Sequence, residues 1–228
     1  MLQTQTVKEK TFGLLKTLMD DEKLNQFYLV GGTALALYMG HRESIDLDLF
    51  SQQLFDVEEL KVYLIREYNF RVDKQSDATL IGSIDFVKVD CIKYNYPLAE
   101  HTQEYDGIRM YSMPDIAAMK LTAISQSGRR LKDFVDVAFM STQMSLDNML
   151  NAFRIKFPNT NVISAVKGLT YFDDIDFSAE VNLINGVFKW KKIEKRLFEM
   201  IKNPEKIFPQ MDFNDAKAST IKNKRTKR

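Results

Sequence analysis

The chain has 228 residues, 45% of them hydrophobic, with 16 Phe and 9 Tyr, enough for one compact domain with a sizeable appendage or for two small lobes sharing an interface. Its 32 basic and 31 acidic side chains give a formal net charge of +1, so global charge argues neither for nor against a nucleic-acid partner. One cysteine, Cys91, and two histidines exclude a disulfide framework and cannot build a structural zinc site unaided.

Residues 1–12 lack the apolar stretch of a signal peptide, and no later run approaches the ~18 apolar residues of a membrane span. The expectation is a soluble, cytoplasmic protein with no membrane segment. Phe12, Leu15, Leu18 and Met19 recur at helical spacing and predict a helix over 5–20. The short apolar run 27–30 predicts a buried strand halted by Gly31 and Gly32, and 33–39 predicts a helix starting directly after the glycines. Residues 45–50 alternate apolar and acidic with period two, the mark of a strand. A helix follows over 57–68, then strands over 70–74, 79–84 and 86–94, with a turn near Gly82-Ser83 between the last two. A short strand is expected over 108–111.

From Ser112 the pattern becomes helical. Ser112, Pro114 and Asp115 supply a capping hydroxyl, a first-turn proline and an acid. Helices are predicted at about 114–126, 131–142, 145–156, 160–170 and 187–203. The fold class is therefore α+β, a mixed-sheet lobe with flanking helices over 1–112 followed by an all-helical lobe over 113–211. The last 17 residues carry six Lys or Arg against two Asp, a local +4. Residues 212–228 thus read as a basic, disordered arm, either a solubilising end or a contact for RNA.

The stretch from Gly31 to Phe50 carries the chemistry. On a strand, Asp46 and Asp48 share one face and Ile45, Leu47 and Leu49 the other. Two such carboxylates either pair with cations on a solvated face or hold a hard divalent ion, Mg²⁺ before others. A strand–Gly-Gly–helix turn lies just ahead. Its glycines allow close backbone approach and its free amides favour an anion. Thr33 adds a hydroxyl donor or a cap. Asp90, in an otherwise apolar strand, either completes a metal site with Asp46 and Asp48 or pairs with Lys88 or Lys93. Arg42 and Ser44, before the acidic strand, are candidate nucleotide contacts, while His41 reads as a surface residue. Met110, Met113, Met119 and Cys91 read as core filler. There is no GxxxxGKS phosphate loop.

The order Gly-Gly-Thr, Asp-x-Asp, then a later strand Asp resembles the nucleotidyltransferase superfamily. The segment PDIAAMKLTAISQSGRRLKDFVDVAFM, and the later YFDDID followed by a helix with Trp190, resemble the AbiEii/AbiGii group of toxin-like members. The resemblance implies that Lys120 and Asp133 join the site. Family members often carry an Arg before the glycine of this block. Here Ser127 stands in that place, with Arg129 and Arg130 after Gly128. From spacing alone Lys120 is either a phosphate contact or a snorkelling lysine, and Asp136 reads as a structural i,i+4 partner of Lys132.

The resulting expectation is a metal-dependent nucleotidyltransferase using Mg²⁺ or Mn²⁺. Asp46, Asp48 and Asp90 hold metal, Gly31, Gly32, Thr33, Arg42, Ser44 and Lys120 hold the NTP, and Lys120 and Asp133 complete the catalytic set. The resemblance implies a bacterial toxin or phage-defence role, a cognate antitoxin, and an acceptor hydroxyl such as a tRNA 3′ end. The alternatives are a protein-modifying enzyme with the same site, a small-molecule transferase, and a non-catalytic NTP-binding module.

Overall fold

The computed structural model describes residues 1–214. A short 3-10 turn leads into helix α1 (Glu9–Asp20), which buries Leu15, Leu18 and Met19. Strand β1 (Tyr28–Val30) runs directly into α2 (Gly31–Met39). Ala34, Leu35, Ala36 and Leu37 of α2 are all fully covered, as expected of a helix apolar all round. Strand β2 (Leu47–Ser51) and helix α3 (Val57–Tyr68) follow. Asp56 caps α3 by accepting the Glu59 amide at 2.9 Å, and Asn69 ends it in the left-handed region. Strands β3 (Arg71–Ser76), β4 (Thr79–Ile84) and β5 (Val87–Lys93) form an antiparallel meander, and β6 (Gln103–Tyr105) and β7 (Ile108–Met110) form a hairpin. The remaining elements are helical: α4 (Met113–Gln126), α5 (Leu131–Met140), α6 (Leu146–Lys156), α7 (Val162–Gly168) and α8 (Trp190–Lys202).

The seven strands make one mixed sheet in the order β3-β4-β5-β2-β1-β7-β6. β1 runs antiparallel to β2, while β2 with β5 and β1 with β7 are parallel. Helix α3 lies on the β3–β4 wing, α2 packs against β1, β2 and the helices α4 and α5, and α4 in turn contacts α5, α6 and α7. Buried apolar side chains from Leu2 to Phe213 form one continuous cluster.

Four local expectations are corrected. The acidic strand begins at Leu47 rather than at residue 45, and Ile45 is 52% exposed. Just before it, Arg42 bridges to Leu183 and Ser44 to Val7, so the lead-in pairs with other segments before joining the sheet. The turn between β4 and β5 is at Asp85 and Phe86, both with positive φ, and Gly82 sits inside β4. Gly82 is required there by crowding, because a Cβ would meet the Arg71 carbonyl at 2.1 Å and the Phe70 ring at 2.4 Å. Strand β6 was not anticipated, since Gln103 to Tyr105 are polar and mostly exposed. Finally, Phe213 is buried and stacks on Phe139 at 5.6 Å, so the core reaches past the boundary expected at 212. The expectation of a disordered basic arm otherwise falls on 215–228, outside the described residues.

Asp115 does more than favour the start of α4. It is fully buried and accepts the amides of Ala99 and Glu100, the Ser112 hydroxyl and, at 2.7 Å, the Lys156 amine. This carboxylate ties the loop before β6 to α4 and α6.

Candidate active site

The Gly-Gly turn and the acidic strand meet because β1 and β2 are paired with Val30 opposite Asp48. Gly31 adopts φ +70, and a Cβ there would lie 2.3 Å from Asp48 Oδ2. A Cβ on Gly32 would lie 2.7 Å from Arg42 Nη2 and 3.3 Å from Ser44 Oγ. The two glycines therefore admit a carboxylate and a guanidinium against the start of α2, and both line a hollow beside Asp48. Thr33 is buried, and its hydroxyl is bonded to the Asp46 carbonyl and to Ser44 Oγ, the latter at 2.8 Å. It ties α2 to the acidic strand rather than facing the cleft.

The third acid arrives on β5. The parallel pairing of β2 and β5 sets Asp48 directly beside Asp90. Asp90 Oδ2 accepts the Lys88 amine at 2.7 Å, while its Oδ1 is buried with no partner. Burial of the Asp48 carboxyl, and then the neighbouring Asp90 charge, push it above the usual carboxylate range. Burial lowers Lys88, but its bond to Asp90 and the charges of Asp90, Asp48 and Asp46 win and hold it above its ordinary value. Asp46 lies exposed in the lead-in to β2. Among the described residues no three His, Cys, Asp or Glu side chains converge as a metal-binding group. An orphaned carboxylate oxygen beside a second carboxylate raised by burial and by its neighbour's charge is nonetheless a pair of hard oxygen donors that suits a divalent cation.

Beneath these acids lies a buried ion-pair cluster built by the helical half. Asp136, with no exposure, accepts Arg42 Nε at 2.7 Å and Nη2 at 2.8 Å, contacts His41 Nε2 at 2.9 Å, and pairs with Lys120 at 2.8 Å. Lys120 also donates to Asp133 Oδ1 at 2.6 Å. Burial opposes the Asp136 charge, but Arg42 and Lys120 outweigh it and hold the carboxyl well below its usual value. Lys120 is likewise disfavoured by burial and kept charged by Asp133 and Asp136. Three expectations change here. Asp136 pairs with Arg42, His41 and Lys120 rather than with Lys132. His41 is buried, not on the surface, and burial lowers its pKa. Arg42 has three donors committed within the protein, its Nη1 to the Glu43 carbonyl, so it forms the floor of the cleft.

Two adjoining hollows open over this floor, of about 170 Å³ and about 230 Å³, and share Gly32, Asp48 and Arg130 in their linings. The first is polar, with Ser44, Asp46, Lys132, Glu180 and Asn182. The second runs past Lys120 and Asp133 to Phe50, Tyr94 and Met119, and the Phe50 and Tyr94 rings lie 4.9 Å apart. Arg130 is 70% exposed, 3.6 Å from Asp133, and lines both hollows. Glu180 and Asn182 escaped sequence reasoning because their loop has no periodicity. It is held by Glu43 N donating to the Asn182 carbonyl at 2.8 Å and Ile184 N to the His41 carbonyl at 3.1 Å.

A small carboxylate-lined cleft at the start of a helix, over a floor of compensated charge, is suited to placing a polyphosphate and a cation. Among the described residues no helix is long and apolar enough to cross a membrane. The chain is 36% identical over 156 residues to an uncharacterized protein of Aquifex aeolicus, covering 66% of this chain and 75% of that one. Its fold is similar to the crystal structure of JHP933 from Helicobacter pylori, with a TM-score of 0.51, 16% identity, and coverage of 86% and 92% of the two chains. It is also similar to MenT4, a nucleotidyltransferase toxin of Mycobacterium tuberculosis, with a TM-score of 0.54, 12% identity and 86% of each chain covered. The model of the nucleotidyl transferase AbiEii toxin family, a type IV toxin–antitoxin system, matches residues 13–222. The chain therefore belongs to the AbiEii nucleotidyltransferase toxin family, a membership that brings with it an NTP substrate and an antitoxin partner.

Proposed function

We propose that the chain transfers a nucleoside monophosphate from an NTP to a hydroxyl at the end of an RNA, a tRNA 3′ end being the acceptor, as a cytoplasmic toxin. The observation that carries this reading is the placement of Asp48 beside Asp90 and against Gly31 at the start of α2. Nucleotidyltransferases of this kind generally use a divalent metal. Asp48 and Asp90, joined by Asp46, would hold Mg²⁺ or Mn²⁺, which supplies charge neutralisation on the phosphates and lowers the pKa of a bound hydroxyl. The backbone amides of Gly31 and Gly32 donate to the triphosphate oxygens. Arg130, exposed at the rim, serves as the phosphate contact in place of the arginine that Ser127 displaces, and Ser44 lines the same hollow. Lys120 and Asp133 set the potential of the floor, with Lys120 facing charge that develops on the leaving pyrophosphate. The acceptor oxygen forms its bond to the α-phosphorus as the bond to the β-phosphate oxygen breaks, and Asp90 receives the hydroxyl proton. Catalysis is positioning and electrostatics throughout.

The test is transfer from NTPs radiolabelled at the α-phosphate, with Mg²⁺, to total tRNA and to lysate protein in parallel. An Asp48→Asn variant serves as control. Label on tRNA that disappears in the variant supports the reading. Label on protein alone overturns the acceptor, and label that persists in the variant overturns the site.

A further inference from the structure

The sheet does not stop at the catalytic acids. Its three outer strands continue the same face outward in register, so Asp48 lies beside Asp90, Asp90 beside Ile81, and Ile81 beside Lys74. The next row runs from Lys88 through Ser83 to Arg71. The opposite face of this wing is taken by α3, to which Gln75 is tied through Glu58 and Lys61. On the near face, Thr79, Ile81 and Ser83 remain half-buried and β3 is exposed along its whole length. Among the described helices, α3 is the one that packs substantially on β3 and β4.

This open face carries Arg71, Lys74 and Lys88, while its acids Asp48 and Asp90 lie at the inner edge. At its corner stands Phe86, 90% exposed. Phe86 occupies the second position of a turn in which both Asp85 and Phe86 have positive φ, at 50° and 67°. Such turns favour glycine or asparagine, and an aromatic residue there is strained. Strain and full exposure of a large ring are both unfavourable to the fold, so neither is explained by packing. Two cations flank the ring, Arg71 at 5.7 Å and Lys10 at 5.8 Å.

Resting on the transferase reading above, we propose that this wing is the acceptor platform: a single-stranded nucleic-acid end lies across β3–β5, a base stacks on Phe86, and Arg71, Lys74 and Lys10 contact its phosphates. Asp90 stands four positions after Phe86, about 13 Å at the usual rise, so a strand held at Phe86 can bring its terminal hydroxyl to the acids. An aromatic face combined with cations is the general means of holding single-stranded nucleic acid without reading its sequence. Lys88 sits between platform and acids, and its bond to Asp90 couples the two.

The experiment uses the full chain and a short fluorescein-labelled single-stranded RNA, with affinity read by anisotropy across a salt series and NTP binding read separately by calorimetry. Phe86→Gly suits the left-handed backbone and should melt no lower than the parent. It should weaken RNA binding by about fivefold or more with NTP affinity unchanged, and Phe86→Tyr should restore it. Arg71→Ala with Lys74→Ala should flatten the dependence of log affinity on log salt by about 0.7 per cation removed. RNA affinity that is unchanged in Phe86→Gly overturns the platform while leaving transfer activity intact as a separate result. No RNA binding by the parent overturns it as well. Phe86→Gly that keeps RNA but loses a co-purifying protein would assign the face to a protein partner instead.

Discussion

Asp136→Ala should cost the fold about 3–5 kcal/mol, the scale for breaking a buried ion pair by removing one side. The carboxylate has no exposure and receives two bonds from Arg42, one contact from His41 and one from Lys120. Truncation leaves the Arg42 guanidinium buried with only the Glu43 carbonyl, whereas Lys120 keeps Asp133. For a chain of this size each kcal/mol lowers the melting temperature by about 2–4 °C, so the transition should fall by on the order of 10 °C. Urea titration should show a lower midpoint with an unchanged slope. Arg42→Met combined with Asp136→Leu removes both charges together and should recover most of the loss. The pH dependence has a defined sign. Because the folded Asp136 carboxyl is held well below its ordinary value, the unfolded chain takes up a proton that the folded one refuses. Its contribution is complete above the unfolded value of about 3.9 and is lost as pH falls through the folded one. An Asp136→Ala protein within about 1 kcal/mol of the parent would refute the assignment of this carboxylate as the floor's keystone.

Gly31→Ala forces a side chain into φ +70 and against Asp48 Oδ2; the backbone term alone is about 1–2 kcal/mol, and calorimetry should show NTP affinity falling with it. Asp48→Asn neutralises a carboxylate whose charge is disfavoured by burial and by Asp90, so its melting temperature should hold or rise. Transfer should nonetheless drop by about a hundredfold or more, equivalent to ~2.7 kcal/mol, and a parallel loss of stability would contradict that opposition. Asp115→Ala removes four bonds at once; it should cost about 3–5 kcal/mol and expose the loop before β6 to limited proteolysis.

What could be read from the sequence was what period and spacing encode. Alternation placed the acidic strand, and two strands of apolar residues interrupted by Asp48 and Asp90 are anomalies that packing alone does not explain. Helices α4 to α8 followed from apolar recurrence and caps. The floor of the cleft was not legible. His41 and Arg42 sit in an irregular lead-in, and nothing local shows that they meet Asp136, 94 or more residues away. Thr33 had the composition of a phosphate contact, yet its hydroxyl is spent within the protein because α2 and the acidic strand must be joined there. The rim residues Glu180 and Asn182 lie in a segment whose position comes from backbone pairing with residues 41–43, a contact that carries no side-chain pattern. Glycine was ambiguous for a related reason: at Gly31 and Gly32 the absent Cβ admits Asp48 and Arg42 as much as any ligand.

The tie between Arg42 and Asp136 also sets when the cleft can exist. During synthesis the strands bearing Asp48 and Asp90 emerge early, but Arg42 has no counter-charge until the chain has been extended through α5. Until then the guanidinium stays hydrated and the start of α2 lacks its support, and the loop through Asn182 that closes one wall is still to be made. A nascent or prematurely terminated product therefore carries the acids without a working cleft. Completion of the cleft is thus coupled to completion of the chain: a product that stops before α5 lacks the charge partner of Arg42, and one that stops before Asn182 lacks a wall.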